Sequence, residues 1–154
     1  MAPKKLFTLF AKAEAVTWTL LLAALLLRFF GVDTLVVTIA GGLHGAVFLG
    51  YGVTVVLTGI NQRWRLRRIL IGLILAVIPY ATIPFERSLE RQKALDGIWR
   101  TASSSDPRDS KSIDQLFRWF IARPFVLVDL LVIGLTGLFA FLLFLGPPTE
   151  WFSN

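Results

Sequence analysis

Six ionisable residues lie within or at the ends of long apolar stretches of this 154-residue chain, and they are Glu14, Arg28, His44, Glu86, Arg87 and Asp129. An ionisable side chain in a bilayer core is costly unless it is paired or hydrated, so each of the six is a functional candidate. Because imidazole titrates near neutrality, His44 is a candidate for proton handling or ligand contact. A guanidinium binds a carboxylate bidentately, which predicts that Arg28 pairs with Glu86 or Asp129.

The depth of each group follows from the helical rise of about 1.5 Å per residue. On this count five of the six residues gather in the outer half of a membrane as one outer cluster, and Glu14 stands apart near Tyr51 of an antiparallel neighbour. Snorkelling towards the interface explains Arg28 and Glu86 without function, and His44 fits a hydrogen-bonded core histidine. For Glu14, structural pairing and function are equally supported. The sequence leaves open whether the outer cluster is a site or a clasp between helices.

The residue inventory excludes many kinds of site. The chain has no cysteine and one histidine, which excludes disulfide scaffolds, cysteine-ligated zinc, iron–sulfur clusters, c-type haem and thiol nucleophiles. It also lacks a phosphate-cradling glycine loop, a paired-histidine metal motif and a serine-centred elbow. We therefore predict no catalytic, cofactor-binding or metal-binding residue and no cofactor. Nothing marks an enzyme, although a carboxylate with one histidine can catalyse.

The composition places the chain in a membrane. Hydrophobic residues make up 55% of the sequence and charged residues 17%, whereas soluble domains carry about 25% charged residues. The formal net charge is +6. Because the basic residues cluster beside apolar runs, they are typical of membrane proteins, and we predict no nucleic-acid partner.

The hydropathy pattern predicts an all-α polytopic membrane helix bundle with four transmembrane helices and an interfacial amphipathic helix. The predicted parts are a core over residues 1–92 with helices at about 6–30, 34–60 and 69–85, a charged linker and interfacial helix over 86–123, and a fourth span with tail over 124–154. Ser112 to Gln115 has the form of a capping box. The helix after it carries Arg118, Trp119 and Arg123, which with the linker form an arm for a partner. An ordinary helix packed on the bundle fits the same pattern.

Four spans place both termini on one side of the membrane. Lys4, Lys5 and the arginines of residues 63–68 share that side, and the positive-inside rule makes it cytoplasmic. The eight Lys and Arg of residues 86–123 would then lie outside, which argues against this orientation.

Gly41, Gly45 and Gly52 predict a close helix contact, because small residues four apart let two helix backbones approach. Packing within the bundle is favoured over a homodimer, and self-association stays open.

Three segments stand in a recognisable order, and they are Ala13-Glu14-Ala15-Val16-Thr17-Trp18, Gly41-Gly42-Leu43-His44-Gly45, and Pro79 through Pro84-Phe85-Glu86-Arg87. Over about the first 92 residues they resemble the YdzA-like family of small bacterial integral membrane proteins of unknown function. The resemblance implies a three-helix membrane core with Glu14, His44, Gly45, Phe85, Glu86 and Arg87 at family motif positions, and no known reaction. The chain departs from this pattern after Arg91, where family members usually end.

The leading hypothesis is an accessory or assembly subunit of a larger respiratory or cell-envelope complex in the inner (plasma) membrane. Short helices leave little room for a transport pathway, whereas an apolar exterior and a charged arm suit partner binding. One alternative is a small oligomeric transporter or channel for protons or cations that uses Glu14 and His44. Another is a membrane enzyme acting on lipid headgroups at the outer cluster. The expected partners are membrane lipids and other membrane subunits, whose identity the sequence does not give.

Overall fold

The structure, a computed structural model, describes residues 1–102 and 112–145. Its helices are α1 (Pro3–Phe29), α2 (Thr34–Asn61), α3 (Leu66–Leu75), α4 (Thr82–Arg91), α5 (Ser112–Ile121) and α6 (Pro124–Leu145). No strand occurs in these two ranges, which confirms the predicted all-helical fold for them. The chain divides into an N-terminal unit, Met1–Trp99, and a C-terminal unit, Arg100–Asn154. Most of the predicted polar linker and the end of the predicted tail lie outside the described residues.

Helices α1 and α2 form an antiparallel pair long enough to cross a membrane. They contain 27 and 28 residues, or about 40 Å each, whereas the hydrocarbon core is about 30 Å thick. Pro3 begins α1, where its missing N–H costs nothing. Gly31 closes the turn after α1 with a φ of 89°, and the Asp33 side chain caps α2 by accepting from the Leu35 amide at 2.8 Å. Among the described residues these two helices satisfy the length and hydropathy expected of membrane spans.

The structure corrects the prediction of one helix over residues 69–85. Two ten-residue helices, α3 and α4, replace it. After Leu75 the backbone tightens into three-residue turns, in which the Ala76 amide donates to the Leu73 carbonyl at 3.3 Å. Tyr80 then adopts a φ of 65°. Pro79 has no amide to continue the α-helical ladder, so the helix ends before it.

Helices α3 and α4 form a hairpin that returns to the end of the unit from which it enters. Ile69 packs on Gly59, near the end of α2, whereas Leu73 packs on Gly52, deeper along that helix. Helix α4 then runs back along α1, as shown by contacts of Thr82 with Ala11, Glu86 with Thr8, and Glu90 with Lys4. At the tip, the Trp18 indole donates to the Ala76 carbonyl at 3.3 Å. The hairpin therefore covers one half of the α1–α2 pair.

The hydrophobic core lies in this covered half. Its fully buried members include Phe7, Tyr51, Val55 and Leu95. Phe7 stands at its centre, with its ring 5.7 Å from the Tyr51 ring and 6.0 Å from the Trp64 ring, both in edge-to-face geometry. Such pairs add about 0.5–1.5 kcal/mol beyond the area that they bury. This packing fixes the positions of the buried polar groups beside it.

The C-terminal unit contains α5 and α6. Arg100 pairs with Asp114 at 2.8 Å, and the guanidinium of Arg123 lies 4.8 Å from the centre of the Trp119 ring. Helix α5 occupies the segment predicted as an interfacial helix, and α6, with 22 residues, occupies the predicted fourth span. The interfacial position of α5 and a membrane crossing by α6 stay predictions.

Candidate functional site

Two buried glutamates face the core from opposite helices of the covered half. The side chain of Glu14 on α1 is 0% exposed and Glu86 on α4 is 6% exposed. The phenol of Tyr51, which is itself 0% exposed, lies within electrostatic range of both carboxylates. This arrangement agrees with the predicted position of Glu14 near Tyr51. The structure adds Glu86 to the same site, which we call the carboxylate site (Glu14, Tyr51 and Glu86).

Glu86 has a hydrogen-bond partner. The Thr8 hydroxyl donates to its Oε1 atom at 2.6 Å, a short distance typical of a charge-assisted bond. One turn earlier on α4, the Thr82 hydroxyl donates to the Ala11 carbonyl at 3.2 Å. These two threonine contacts fix α4 against α1 and hold the Glu86 carboxylate in place.

Glu14 and Tyr51 have no such support. Neither carboxylate oxygen of Glu14 has a hydrogen-bond partner among the described residues, and neither does the Tyr51 hydroxyl, although all three atoms are buried. The nearby Thr17 hydroxyl donates to the Glu14 backbone carbonyl at 3.1 Å and leaves the carboxylate alone. A buried polar group without a partner costs about 1–3 kcal/mol. The carboxylate site therefore holds three polar atoms available to a proton, an ion or a partner.

His44 lies in a different environment. Its Nδ1 atom is 3.2 Å from the Thr17 hydroxyl, with donor and acceptor set by the tautomer. Its ring centre is 4.4 Å from that of Trp18 and 6.2 Å from that of Phe48. This geometry matches the hydrogen-bonded core histidine that the sequence offered as one interpretation. A role for His44 in proton or ligand handling stays a prediction.

The structure removes Glu86 and Arg87 from the predicted outer cluster. Glu86 contacts Thr8 near the start of α1, whereas Arg28 is exposed in the last turn of that helix, about 30 Å further along it. Arg28 and Glu86 therefore cannot pair. Arg87 is exposed beside Glu86, and Asp129 is exposed on α6 in the other unit. The cause is the hairpin, which brings α4 back beside the start of α1, whereas a helix that crossed the membrane would have ended beside the last turn of α1.

The predicted helix-contact glycines behave differently from one another. A Cβ at Gly52 would lie 3.6 Å from Leu73, an ordinary contact, whereas Gly41 and Gly45 have nothing within 4 Å of that position. The close approaches inside the unit occur instead at Gly59 and Gly72, where a Cβ would meet Ile69 at 2.6 Å and Phe85 at 2.9 Å. Within the N-terminal unit, Gly41 and Gly45 therefore make no close helix contact, and a contact at this face stays a prediction.

Two further features bear on function. Among the described residues no group of three or more His, Cys, Asp or Glu side chains is placed to hold a metal ion. Arg118, Trp119 and Arg123 of the predicted arm lie on or beside α5, and Trp119 is 43% exposed.

Sequence reasoning missed the Thr8 contact of Glu86, because it placed these residues on opposite sides of the membrane.

These features are those of a membrane protein whose described residues contain helices and no strands. Residues 4–91 match the family described as a domain of unknown function, DUF3817, and the chain belongs to that family. It is also similar to a curated protein of Streptomyces coelicolor that is named as a membrane protein, with 46% identity over 82 residues. The aligned segment covers 52% of this chain and 10% of that relative.

No solved structure matches the chain significantly. Membership of a family of unknown function agrees with what the resemblance implied, and the YdzA-like assignment itself stays a prediction.

Proposed function

We propose that this protein is an accessory subunit that associates with a larger membrane protein. The proposal rests on how small a part of the Streptomyces coelicolor relative the alignment covers. The aligned segment is about half of this chain but a tenth of that membrane protein. A module of this family is thus part of a much longer polypeptide there, and we infer that it works beside other membrane segments as a separate chain too.

The open face of α2 supports the proposal. Gly41 and Gly45 present their backbone to open space, since a Cβ at either position would meet nothing within 4 Å, and Leu49, one turn after Gly45, is 41% exposed. Small residues four apart allow a second helix to approach closely and gain dispersion contacts in lipid. We propose that a helix of the larger protein packs against this face.

The hairpin also supports an orientation. Lys4, Lys5, the arginines of residues 63–68 and the end of α4 all lie at one end of the N-terminal unit. We propose that this end is cytoplasmic, in accordance with the positive-inside rule. The basic residues after α4 then start on the favoured side, which removes the objection raised by the sequence. A crossing by α6 would carry the C-terminus to the opposite side, in contrast to the sequence-based expectation.

Native purification tests the proposal. In a mild detergent we expect the intact particle to have the mass of a hetero-complex, and we expect the double variant Gly41→Leu/Gly45→Leu to lose most of the partner because bulk blocks the helix approach. Ala46→Leu adds similar bulk to an exposed position of the same helix and should keep the partner. A wild-type particle with the mass of one chain or a small homo-oligomer would contradict the accessory role.

A second candidate, proton or cation handling, is favoured by the three unpartnered atoms of Glu14 and Tyr51. Reconstituted protein should then show an ion flux that falls at least tenfold in Glu14→Gln, since the amide cannot exchange a proton. His44→Ala should also lower the flux if His44 carries protons, and it should leave the flux unchanged if the histidine is only structural. Absence of flux under proton, sodium and potassium gradients would count against transport. The enzyme alternative loses part of its support, because Glu86 and Arg87 lie at the other end of the N-terminal unit from Arg28.

A further inference from the structure

A basic cleft lies at the proposed cytoplasmic end of the N-terminal unit. It occupies about 600 Å³ between the α2–α3 turn and α4. Four arginines line it, Arg63, Arg65, Arg67 and Arg68, and no acidic residue of the described ranges does. We call it the arginine cleft, and we propose that it binds the phosphate headgroup of an anionic phospholipid. This inference does not depend on the accessory role or on ion flux.

Three of the four arginines of the cleft keep charges that are available to a ligand. Arg65, Arg67 and Arg68 form no ion pair within the part of the chain that the structure describes. The Arg68 guanidinium donates to the neutral Gln92 amide oxygen at 2.8 Å and lies 5.8 Å from the centre of the Trp64 ring. These contacts orient the guanidinium without neutralising it. Arginine in such a position suits phosphate oxygens, which accept two parallel hydrogen bonds.

The backbone of the cleft adds to its positive potential. Helix α3 begins at Leu66, and its N-cap residue, Arg65, provides no side-chain cap. The free amides and dipole of a helix N-terminus favour an anion. The preceding turn is rigid, because the Trp64 amide donates to the Gly59 carbonyl at 2.8 Å and the Trp64 indole donates to the Ala94 carbonyl at 3.1 Å. The arginines therefore line a preformed concave surface.

The apolar wall of the cleft favours a lipid over a free phosphate. Ile71 and Phe85 line the cleft together with the arginines. From Ile71 an exposed apolar strip continues along α3 through Leu70 and Ile74, which are 47% and 63% exposed. The cleft also lies at the end of α2, the level at which a spanning helix reaches the headgroups. A phospholipid places its phosphate among the arginines and its acyl chains on this strip, whereas inorganic phosphate has no use for the apolar wall.

Lipid retention measured by native mass spectrometry tests the inference. The full-length protein, equilibrated with equal amounts of phosphatidylglycerol and phosphatidylcholine, is expected to keep one phosphatidylglycerol preferentially. Arg65→Gln/Arg67→Gln removes two exposed charges and should reduce that retention about tenfold, because half of the basic groups that attract an anionic headgroup are lost. Lys5→Gln/Arg91→Gln removes the same charge at the same end outside the cleft and should retain the lipid. Circular dichroism confirms that each variant folds.

Three outcomes would overturn the inference. Equal losses in the two double variants would show unspecific attraction to the basic end, and equal retention of both lipids would show no headgroup recognition. Displacement of phosphatidylglycerol by millimolar inorganic phosphate would assign the cleft to a free phosphate. Each result is independent of whether the protein co-purifies with a partner.

Discussion

Replacing Glu14 with methionine is expected to stabilise the protein, whereas the same change at Glu86 is expected to destabilise it. Both side chains are buried, and methionine has a similar length without charge. The carboxylate of Glu14 has no hydrogen-bond partner among the described residues, so its removal relieves a desolvation cost of about 1–3 kcal/mol. Glu86 accepts from Thr8, and its removal loses that bond and leaves the hydroxyl unpaired, at a similar cost of about 1–3 kcal/mol.

Unfolding in a mild detergent, followed by circular dichroism, measures the two effects. Glu14→Met should raise the melting temperature, Glu86→Met should lower it, and Thr8→Val should reproduce much of the Glu86→Met loss because it removes the same hydrogen bond. The double variant Thr8→Val/Glu86→Met should then cost less than the sum of the two single changes. A lower melting temperature for Glu14→Met would mean that the carboxylate has a stabilising partner and would contradict the geometry of the carboxylate site.

The sign of the Glu14 effect bears on function. A residue that costs stability and is not compensated within the described structure is a candidate for activity, since functional sites hold groups that packing alone would exclude. A stabilised Glu14→Met variant that loses ion flux would support the transport candidate. A stabilised variant that loses its partner would instead indicate that the Glu14 carboxylate contributes to partner binding.

The two long helices were predictable because local signals define them. Apolar runs of more than 20 residues predicted spans at 6–30 and 34–60, and the structure has helices at Pro3–Phe29 and Thr34–Asn61. Gly31 and the Asp33 cap mark the turn between them. Their antiparallel pairing follows from the short turn, and this pairing alone predicts that Glu14 lies near Tyr51.

The hairpin was not predictable in the same way, because hydropathy records burial and not direction. Residues 69–85 have the hydropathy of one short apolar span, and membrane helices tolerate prolines such as Pro79 and Pro84 with a kink. The reversal depends on contacts between residues distant in sequence, such as Thr8 with Glu86 and Trp18 with Ala76. Once the direction was assumed wrongly, Glu86 and Arg87 were placed at the wrong end and were therefore counted in the outer cluster.

The arginine cleft escaped sequence analysis for a related reason. Arg63, Arg65, Arg67 and Arg68 were recognised as a basic loop that sets orientation. Their concave arrangement against α4 requires the return of the hairpin, which brings Gln92 to within 2.8 Å of Arg68. A single crossing would have left these groups on opposite faces of the membrane.

The returning hairpin makes an all-or-none prediction about sidedness. The chain has no native cysteine, so a single introduced thiol reports the side of the membrane on which it lies. We expect Val32→Cys, in the α1–α2 turn, to react with a membrane-impermeant maleimide added to intact cells. Asp96→Cys, just after α4, should react only after the cells are opened.

The contrast between these positions distinguishes a hairpin from a third crossing. If residues 69–85 crossed the membrane, Asp96→Cys and Val32→Cys would lie on the same side and would both react in intact cells. With the hairpin, Asp96→Cys shares its side with Gln62→Cys, in the α2–α3 turn, which serves as the internal control. Val32 is 39% exposed, Gln62 lies in a turn and Asp96 is exposed in a loop, so poor reactivity after opening the cells would indicate misfolding and not sidedness. Labelling of Asp96→Cys but not Gln62→Cys in intact cells would contradict the fold, and with it both the carboxylate site and the arginine cleft, since each requires α4 to return beside the start of α1.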